Sequence, residues 1–127
     1  MRNEYENEAF FQQYAQMSRS REGLSAADLG CGYGWHCKFA MEQGAQRVLG
    51  IDLSGKMIEQ ARRRNSGEGI CYQVCGIEEY AYPEGTWDCV VSNLALHYIE
   101  DLDAVFEKVH RTLKKDGIFL LNIEHPV

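Results

Sequence analysis

The chain has 127 residues, of which 45% are apolar and 25% charged, and it carries a net charge of −6. This size and composition are typical of one globular domain and exclude a disordered or collagen-like chain. The acidic balance, with Arg62, Arg63 and Arg64 as the largest basic cluster, disfavours a nucleic-acid partner or an acidic membrane surface.

The sequence also favours a cytoplasmic location. No apolar run reaches the length of a membrane span, and the first residues lack the apolar core of a signal peptide. The five cysteines are odd in number and none stands in a C-x-x-C pair, so neither a disulfide framework nor a zinc site is indicated. We therefore expect reduced, mostly buried cysteines and no membrane partner.

The first predicted element is an amphipathic helix near the N-terminus. Phe10, Phe11, Tyr14 and Met17 recur at helical spacing within residues 8–18. Short apolar runs then alternate with helical patterns, which is typical of a parallel sheet with crossover helices.

The first strand and helix of this alternation are predicted from one apolar run and its glycines. A strand is expected over Leu24–Leu29, and a helix over Trp35–Gln43 that ends at Gly44. Its buried face is predicted to consist of Trp35, Phe39 and Ala40.

Three further strands follow in the middle of the chain. "RVLGID" at 47–52 is predicted as a strand, and Ser54 is predicted to cap the helix after it. "ICYQVC" at 70–75 alternates as a strand should. "WDCVVSN" at 87–93 has the β-branched centre of a buried strand.

The last helix and strand complete the predicted layout. Apolar residues at i, i+3, i+4, i+7 and i+11 from Leu102 predict an amphipathic helix with Lys114 and Lys115 in its last turn. The turn "DG" then leads into a fifth strand, "IFLLNI". The chain is thus expected to be one domain over 1–127, with an N-terminal helical segment at 1–22 and an α/β core at 24–124. Its sheet should be doubly wound, mostly parallel and of about five strands.

The stretch "DLGCGYGWHC" marks the turn after the first strand. Gly30, Gly32 and Gly34 remove side chains there, so that a ligand can approach the main chain. The dinucleotide fingerprint G-x-G-x-x-G would need glycine where Trp35 stands, and the carboxylate of Asp28 would repel a pyrophosphate. The loop therefore favours a nucleoside-bearing cofactor with positive charge nearby over a nicotinamide dinucleotide.

A second acidic residue strengthens this interpretation. Asp52 ends the second strand, where a carboxylate can accept hydrogen bonds from both ribose hydroxyls. Structural roles remain open for both acids, because Asp28 could cap the following turn and Asp52 could bond loop amides.

The chain closely resembles the class I S-adenosylmethionine-dependent methyltransferases of the type 11 branch. The resemblance follows family order through "DLGCGYGWH", "GIDLS", "WDCVVSNLALHYIEDL", "VHRTLKKDGIFL" and "EHPV". It implies S-adenosylmethionine as cofactor, S-adenosylhomocysteine as product, a small-molecule methyl acceptor and no metal.

The resemblance also implies a set of cofactor-binding residues. Asp28 and the loop from Gly30 to Gly34, with Cys31 and Gly32, would face the methionine part, and Asp52 the ribose. Leu53 and Met57 would flank the adenine, while Ile77 and Glu78 would border its amino group. The end of the fourth strand would lie beneath the methionine part. The residues at this strand end are Asn93 and Leu94.

Three residues outside these motifs receive weaker assignments. By the same resemblance, Tyr14 and Arg19 would fold over the cofactor, with the arginine pairing with the methionine carboxylate. His97 is a weak catalytic candidate, because a hydrogen-bonded loop residue would look the same in the sequence.

The chain departs from the family in ways that indicate truncation. Gly76 stands where the family usually has Asp, the segment before the first strand is shorter than usual, and the sheet commonly continues beyond "EHPV". A sheet that ends at the fifth strand would expose an edge and favour self-association as a homo-oligomer. The alternative function is therefore an inactive cofactor-binding fold that acts through self-association or a partner chain.

Overall fold

The fold is known from a computed structural model, which describes residues 4–19, 23–95 and 99–124. Within these ranges helices and strands alternate as the sequence predicts. The elements in chain order are α1 (Glu4–Arg19), β1 (Ser25–Leu29), α2 (Trp35–Glu42), β2 (Arg47–Asp52), α3 (Gly55–Arg64), β3 (Ile70–Val74), β4 (Trp87–Ala95), α4 (Leu102–Thr112) and β5 (Leu113–Glu124).

The strands form one sheet in the order β3-β2-β1-β4-β5, and every neighbouring pair is parallel. This confirms the predicted doubly wound α/β fold. The chain moves outward from β1 through β2 to β3, then returns to the other side of β1 with β4. The strand order therefore reverses between β1 and β4, which opens a crevice at their carboxyl ends.

Both faces of the sheet are covered by helices, because alternate residues of each strand point to opposite sides. One face carries α1, α2 and α3, and the other carries α4. Buried side chains on the first face include Tyr14, Met17, Ala26, Val48, Ile58 and Tyr72. Those on the second include Ala27, Leu29, Ile51, Trp87, Val90, Val105 and Val109.

The predicted ends of α2 and α3 are confirmed in atomic detail. The backbone amide of Met57 donates a 3.3 Å hydrogen bond to the Ser54 hydroxyl, which caps α3. Gly44 has a φ of 92°, the left-handed conformation that ends a helix without steric cost.

The predicted buried face of α2 is confirmed for Ala40, holds in part for Phe39, which packs against the core, and is wrong for Trp35. Trp35 is 47% exposed, whereas His36, Cys37 and Ala40 are buried. Trp35 is the first residue of its helix, and helical side chains lean toward the helix N-terminus, which at this position lies beyond the core-facing turns. Its predicted place in the core is taken by the residues that follow it.

The predicted end of α4 is also wrong. Leu113 already begins β5 by pairing with Trp87, so that Lys114 and Lys115 lie in the strand. The basic residues of the last helical turn are His110 and Arg111 instead. The predicted "DG" turn appears as an irregularity within β5, where Asp116 has a φ of 68°.

Among the described residues, β3 and β5 are the edge strands of the sheet. Self-association through such an edge stays a prediction. The described helices are all too short or too polar to cross a membrane.

Candidate functional site

The glycine loop occupies the turn between β1 and α2, at the crevice. Gly30, Gly32 and Gly34 have φ values of 79°, 54° and 85°, a backbone region that other residues rarely adopt. The amides of Gly30 and Cys31 both donate 2.8 Å hydrogen bonds to the carbonyl of Ile51. These bonds fix the loop to the end of β2.

The glycines of this loop serve different purposes. A Cβ at Gly32 would meet no atom within 4 Å, so this backbone faces open space that a ligand can fill. A Cβ at Gly34 would instead collide with the ring of Tyr72, whose Cζ would stand only 2.9 Å away. Gly32 therefore leaves room for a ligand to approach, while Gly34 serves packing.

A hydrogen-bonded chain that the sequence did not predict holds the loop from the side of α3 and β3. The Tyr72 hydroxyl donates a 2.7 Å hydrogen bond to the carbonyl of Asn65, a buried residue. The side-chain amide of Asn65 donates a 2.7 Å bond to the carbonyl of Tyr33 in the glycine loop. The loop is thus held in place before any ligand arrives.

Asp28 brings a buried carboxyl to the base of the loop. It is 3% exposed, and burial raises its pKa from the ordinary value to about 7. The thiol of Cys37 donates to Oδ2 at 3.8 Å, and Nδ1 of His36 lies 3.8 Å from the same oxygen. Oδ1 is buried and has no hydrogen-bond partner among the described residues. An unpartnered buried oxygen is costly, and a bound ligand that carries a donor would satisfy it.

Asp52 links the loop to the end of β2. Its Oδ2 accepts a 2.9 Å hydrogen bond from the amide of Gly32, and its Oδ1 accepts a 2.8 Å bond from the amide of Ser54. The structural alternative predicted for Asp52, hydrogen bonding to loop amides, is therefore confirmed. Each carboxylate oxygen can accept a second bond, so the same side chain retains capacity for hydroxyl groups of a ligand.

The crevice continues past Asp52 along an apolar surface toward the end of β3. Leu53 is 75% exposed, and Val74 is 50% exposed. Met57 and Ile77 are both half-buried. Exposed apolar side chains beside a half-buried carboxylate suit a flat aromatic ligand.

Gly76 bears on the predicted weakness of polar recognition at this end. A Cβ at this position would collide with Oε2 of Glu79 and would lie 3.5 Å from Cδ1 of Leu53. A carboxylate therefore covers the glycine from a neighbouring position. Glu78, the residue predicted to border the adenine amino group, is exposed, and its carbonyl accepts a 3.3 Å hydrogen bond from Lys108.

The fourth strand reaches the crevice beside β1. Asn93 and Leu94 lie on β4 opposite Asn122 and Ile123 of β5, at the carboxyl end as predicted, but their side chains lie outside the described part. Ser92, which the sequence did not single out, is fully buried and donates a 3.2 Å hydrogen bond to the carbonyl of Leu29. His97 lies outside the described residues.

The structure places Tyr14 away from this crevice. Its side chain is completely buried, and burial together with Cys89 and Asp88 at the amino-terminal half of β4 raises its pKa well above the ordinary value. Its ring packs edge to face on Phe39, with centroids 6.2 Å apart. This placement, with α1 packed across the sheet face, differs from the predicted position of Tyr14 over the cofactor.

Arg19 is exposed at the end of α1, where it lines a surface depression between α1 and α2. Its proposed pairing with a ligand carboxylate stays a prediction. The other residues that line this depression are Gln12, Ala15, Gln16 and Phe39.

The cysteines beneath the loop are buried and free, as expected for a reduced chain. A Cβ at Gly50 would stand 2.9 Å from the sulfurs of both Cys31 and Cys37. A hydrogen bond with Cys31, together with burial, raises the pKa of the Cys37 thiol, so this thiol stays protonated and can donate to Asp28. In the part of the chain that the structure describes, no group of three metal-ligating side chains comes together.

The site thus combines three features along one edge of the sheet. Asp28 offers a free carboxylate oxygen for a cation, Gly32 offers open backbone, and Asp52 offers acceptors for a diol. An apolar surface follows at Leu53. These features fit S-adenosylmethionine, which carries an ammonium, a ribose and a flat base in that order.

Comparison with known proteins agrees with this geometry. Residues 27–121 match the family described as "Methyltransferase domain". The crystal structure of an S-adenosylmethionine-dependent methyltransferase from Mesorhizobium loti is 39% identical, with a TM-score of 0.78. The alignment covers 91% of this chain and 56% of that chain.

Curated relatives of known name have different activities. The malonyl-[acyl-carrier protein] O-methyltransferase of Hamiltonella defensa is 30% identical over 95 residues, which cover 75% of this chain and 36% of that protein. The human mitochondrial arginine-hydroxylase NDUFAF5 is 34% identical over 97 residues, which cover 75% of this chain and 27% of that protein. The chain therefore spans well under half the length of these two relatives.

Proposed function

Because this chain belongs to the type 11 branch of the S-adenosylmethionine-dependent methyltransferase family, we propose that it binds S-adenosylmethionine at the crevice and transfers its methyl group to a small molecule. The family match covers residues 27–121, which include the glycine loop and both acids of the site. This match shows the family, and the activity of this chain is what we propose.

The observation that carries the proposal is the state of Asp28. A carboxyl that is 3% exposed and has one oxygen without a protein donor is unfavourable in a protein unless a ligand supplies the donor. The ammonium of a methionine moiety is such a donor, and it also carries the charge that would favour ionised Asp28.

The neighbouring residues support one orientation for the rest of the cofactor. Asp52 would accept hydrogen bonds from the ribose hydroxyls, since its oxygens keep free lone pairs beside their bonds to Gly32 and Ser54. The adenine would then lie against Leu53, Met57 and Ile77. In this orientation the methionine part comes closest to the open backbone at Gly32.

The chemistry makes moderate demands on the protein. S-adenosylmethionine supplies a methyl group that its sulfonium centre already activates. The residues of this chain bind and orient the cofactor: Asp28 holds one end, Asp52 holds the middle, and the rigid glycine loop fixes the position between them. Holding the reactants in line is the main contribution that such a site makes to the rate.

A small acceptor is supported by the charge of the chain. The net charge of −6 opposes a nucleic-acid substrate, and the acids of the crevice strengthen this effect locally. The named relatives act on different substrates, so family membership alone does not fix the acceptor.

The alternative, an inactive fold that works through self-association or a partner chain, is not favoured by the family match. An active enzyme consumes cofactor in the presence of an acceptor, whereas an inactive binding module does not. This difference separates the two functions.

The proposal is tested by isothermal titration of the wild-type chain with S-adenosylhomocysteine, followed by a cofactor-consumption assay. We expect micromolar binding that Asp52→Ala abolishes. The matched control is Asp101→Ala, because Asp101 caps α4 through a 3.0 Å bond from the amide of Ala104 and lies outside the proposed site. A folded wild type without binding would contradict the proposal. If the chain binds S-adenosylhomocysteine but consumes no S-adenosylmethionine with any fraction of a metabolite extract, methyl transfer is contradicted and cofactor binding stands.

A further inference from the structure

His36 lies beside Oδ2 of the buried Asp28 carboxyl. It occupies the first turn of α2, is 8% exposed, and places Nδ1 3.8 Å from Oδ2 of Asp28. This distance is within the range of an ion pair. A buried imidazole beside a buried carboxyl is a pairing that the proposed cofactor role of Asp28 does not itself require.

The burial of Asp28 creates a difficulty for binding a cation. Burial disfavours the charged form of this carboxyl and raises the pKa of Asp28, so that the uncharged form gains weight near neutral pH unless a cation pairs with the carboxylate. A neutral carboxyl attracts an ammonium far less than a carboxylate does. Some group of the protein has to keep Asp28 ionised if the site is to bind in neutral solution.

The surroundings of Asp28 leave few groups that can do this. Asp52 on β2 opposes ionisation, because it is itself negative, and the thiol of Cys37 can donate a hydrogen bond but carries no positive charge. Val91 of β4 is Asp28's register partner and carries no charge. His36 is the one of these neighbours that can become a cation. Among the described residues, the titratable groups next to Asp28 are His36 and Cys37 on α2, Asp52 on β2 and Tyr72 on β3, with Cys31 of the loop next to Cys37.

We propose that His36 is a positioning residue for the cofactor: its imidazolium holds the Asp28 carboxylate ionised, and so preserves cofactor binding below neutral pH. This inference rests on the proposed function. The proton that Asp28 gives up is carried by His36, on the α2 side of the carboxylate. Oδ1, which no described residue engages, is left for the ammonium of the ligand.

The arrangement separates the two cations around one carboxylate. His36 faces Oδ2, whereas the vacant acceptor capacity is on Oδ1. The imidazolium therefore does not take the place of the ligand. Its repulsion of an ammonium at Oδ1 would be smaller than the attraction that is lost when Asp28 is neutral, because the carboxylate would be the group closer to that ammonium.

The test compares the pH dependence of S-adenosylhomocysteine binding in wild type and His36→Asn by isothermal titration between about pH 5.5 and pH 8.5. The side-chain amide of asparagine keeps a donor at the position of Nδ1 but cannot become a cation. We expect the dissociation constant of the variant to be about tenfold weaker than that of wild type near pH 6, and within about twofold of it near pH 8.5. His110→Asn is the matched control, because His110 is exposed on α4.

A purely structural role for His36 would shift the binding curve by the same factor at every pH. That outcome, or an unchanged curve, would overturn the proposal and leave the proposed function standing. Absence of binding by wild type at any pH would overturn the proposed function itself, and this inference with it.

A second measurement does not depend on the ligand or on the stability of one variant. Imidazole titrations followed by nuclear magnetic resonance in the unliganded wild type should show His36 with a pKa above the ordinary histidine value of about 6.5. Asp28→Asn should lower that pKa, and an unchanged value would contradict the coupling of the two side chains.

Discussion

The amide of Gly32 donates a 2.9 Å hydrogen bond to Oδ2 of Asp52, a residue 20 positions away in the chain. This one contact joins the glycine loop to the end of β2 and gives Asp52 a role before any ligand binds. A residue that both supports the loop and contacts the ligand should, when changed, affect stability and binding together.

Asp52→Asn should therefore lower both quantities. Asparagine keeps only one acceptor oxygen, so it can accept the bond from Gly32 or the bond from Ser54 but not both. We therefore expect the free energy of unfolding to fall by about 1–3 kcal/mol. Affinity for S-adenosylhomocysteine should fall at least about tenfold, or 1.4 kcal/mol. Urea unfolding and isothermal titration measure the two effects, and full affinity in a destabilised variant would restrict Asp52 to a structural role.

Two glycines of the same loop should respond differently to alanine. Gly34→Ala forces a methyl group into the ring of Tyr72 and should destabilise the fold by about 2 kcal/mol or more. Gly32→Ala places its methyl in open space, so the folded state should lose only the 1–2 kcal/mol or so of a left-handed backbone. Cofactor binding should nevertheless be lost in Gly32→Ala. A Gly32→Ala protein that binds like wild type would show that the ligand does not approach this backbone.

Asp28→Asn should stabilise the unliganded protein in a pH-dependent manner. The pKa of Asp28 rises from an ordinary value of 3.8 to about 7 on folding, so the ionised form disfavours the folded state. Below about pH 4 the carboxyl carries no such cost, because in the folded state it is either neutral or paired with the imidazolium of His36, whereas above about pH 7 the cost is complete. The variant should gain about 2–4 kcal/mol over wild type at pH 8 and little near pH 4.

Urea unfolding at the two pH values measures this difference, and isothermal titration should show that Asp28→Asn has lost cofactor binding. Equal stability of the two proteins at pH 8 would mean that the Asp28 carboxyl is not destabilised by its burial.

The two glutamates after β3 should differ in their effect on adenine recognition. Both glutamates are exposed, but the carboxylate of Glu79 lies over Gly76, whereas the carbonyl of Glu78 accepts a hydrogen bond from Lys108 of α4. We expect Glu79→Gln to weaken binding of S-adenosylhomocysteine about fivefold, a loss typical of one partly exposed hydrogen bond. Glu78→Gln is the matched control and should bind like wild type; the reverse pattern would restore the sequence-based assignment of Glu78.

The fold was largely predictable because local signals agree with its tertiary contacts. β2 has the predicted bounds, since it lies between a left-handed Gly44 and the capping Ser54, both of which mark their positions in the sequence. The end of α4 was not predictable from periodicity, because Leu113 fits the helical pattern and yet pairs with Trp87. There the pairing of strands distant in sequence overrides local preference.

The candidate site was predictable in part for the same reason. Asp28, Gly32 and Asp52 stand at the ends of strands, so their convergence follows from the topology. Asn65 and Tyr72 support the loop through contacts that depend on how α3 and β3 pack, and no spacing in the sequence indicates these contacts. The burial of Tyr14 was not predictable either, because the position of α1 depends on which part of the sheet face it covers.

The most direct test of the central claim is a titration of ¹⁵N-labelled protein with S-adenosylhomocysteine, followed residue by residue in the amide spectrum. Binding at the carboxyl edge of the sheet predicts that the largest saturable shifts fall on Gly30, Gly32 and Leu53. Shifts confined instead to Gln12 and Gln16, in the depression between α1 and α2, with an unperturbed glycine loop, would contradict the account.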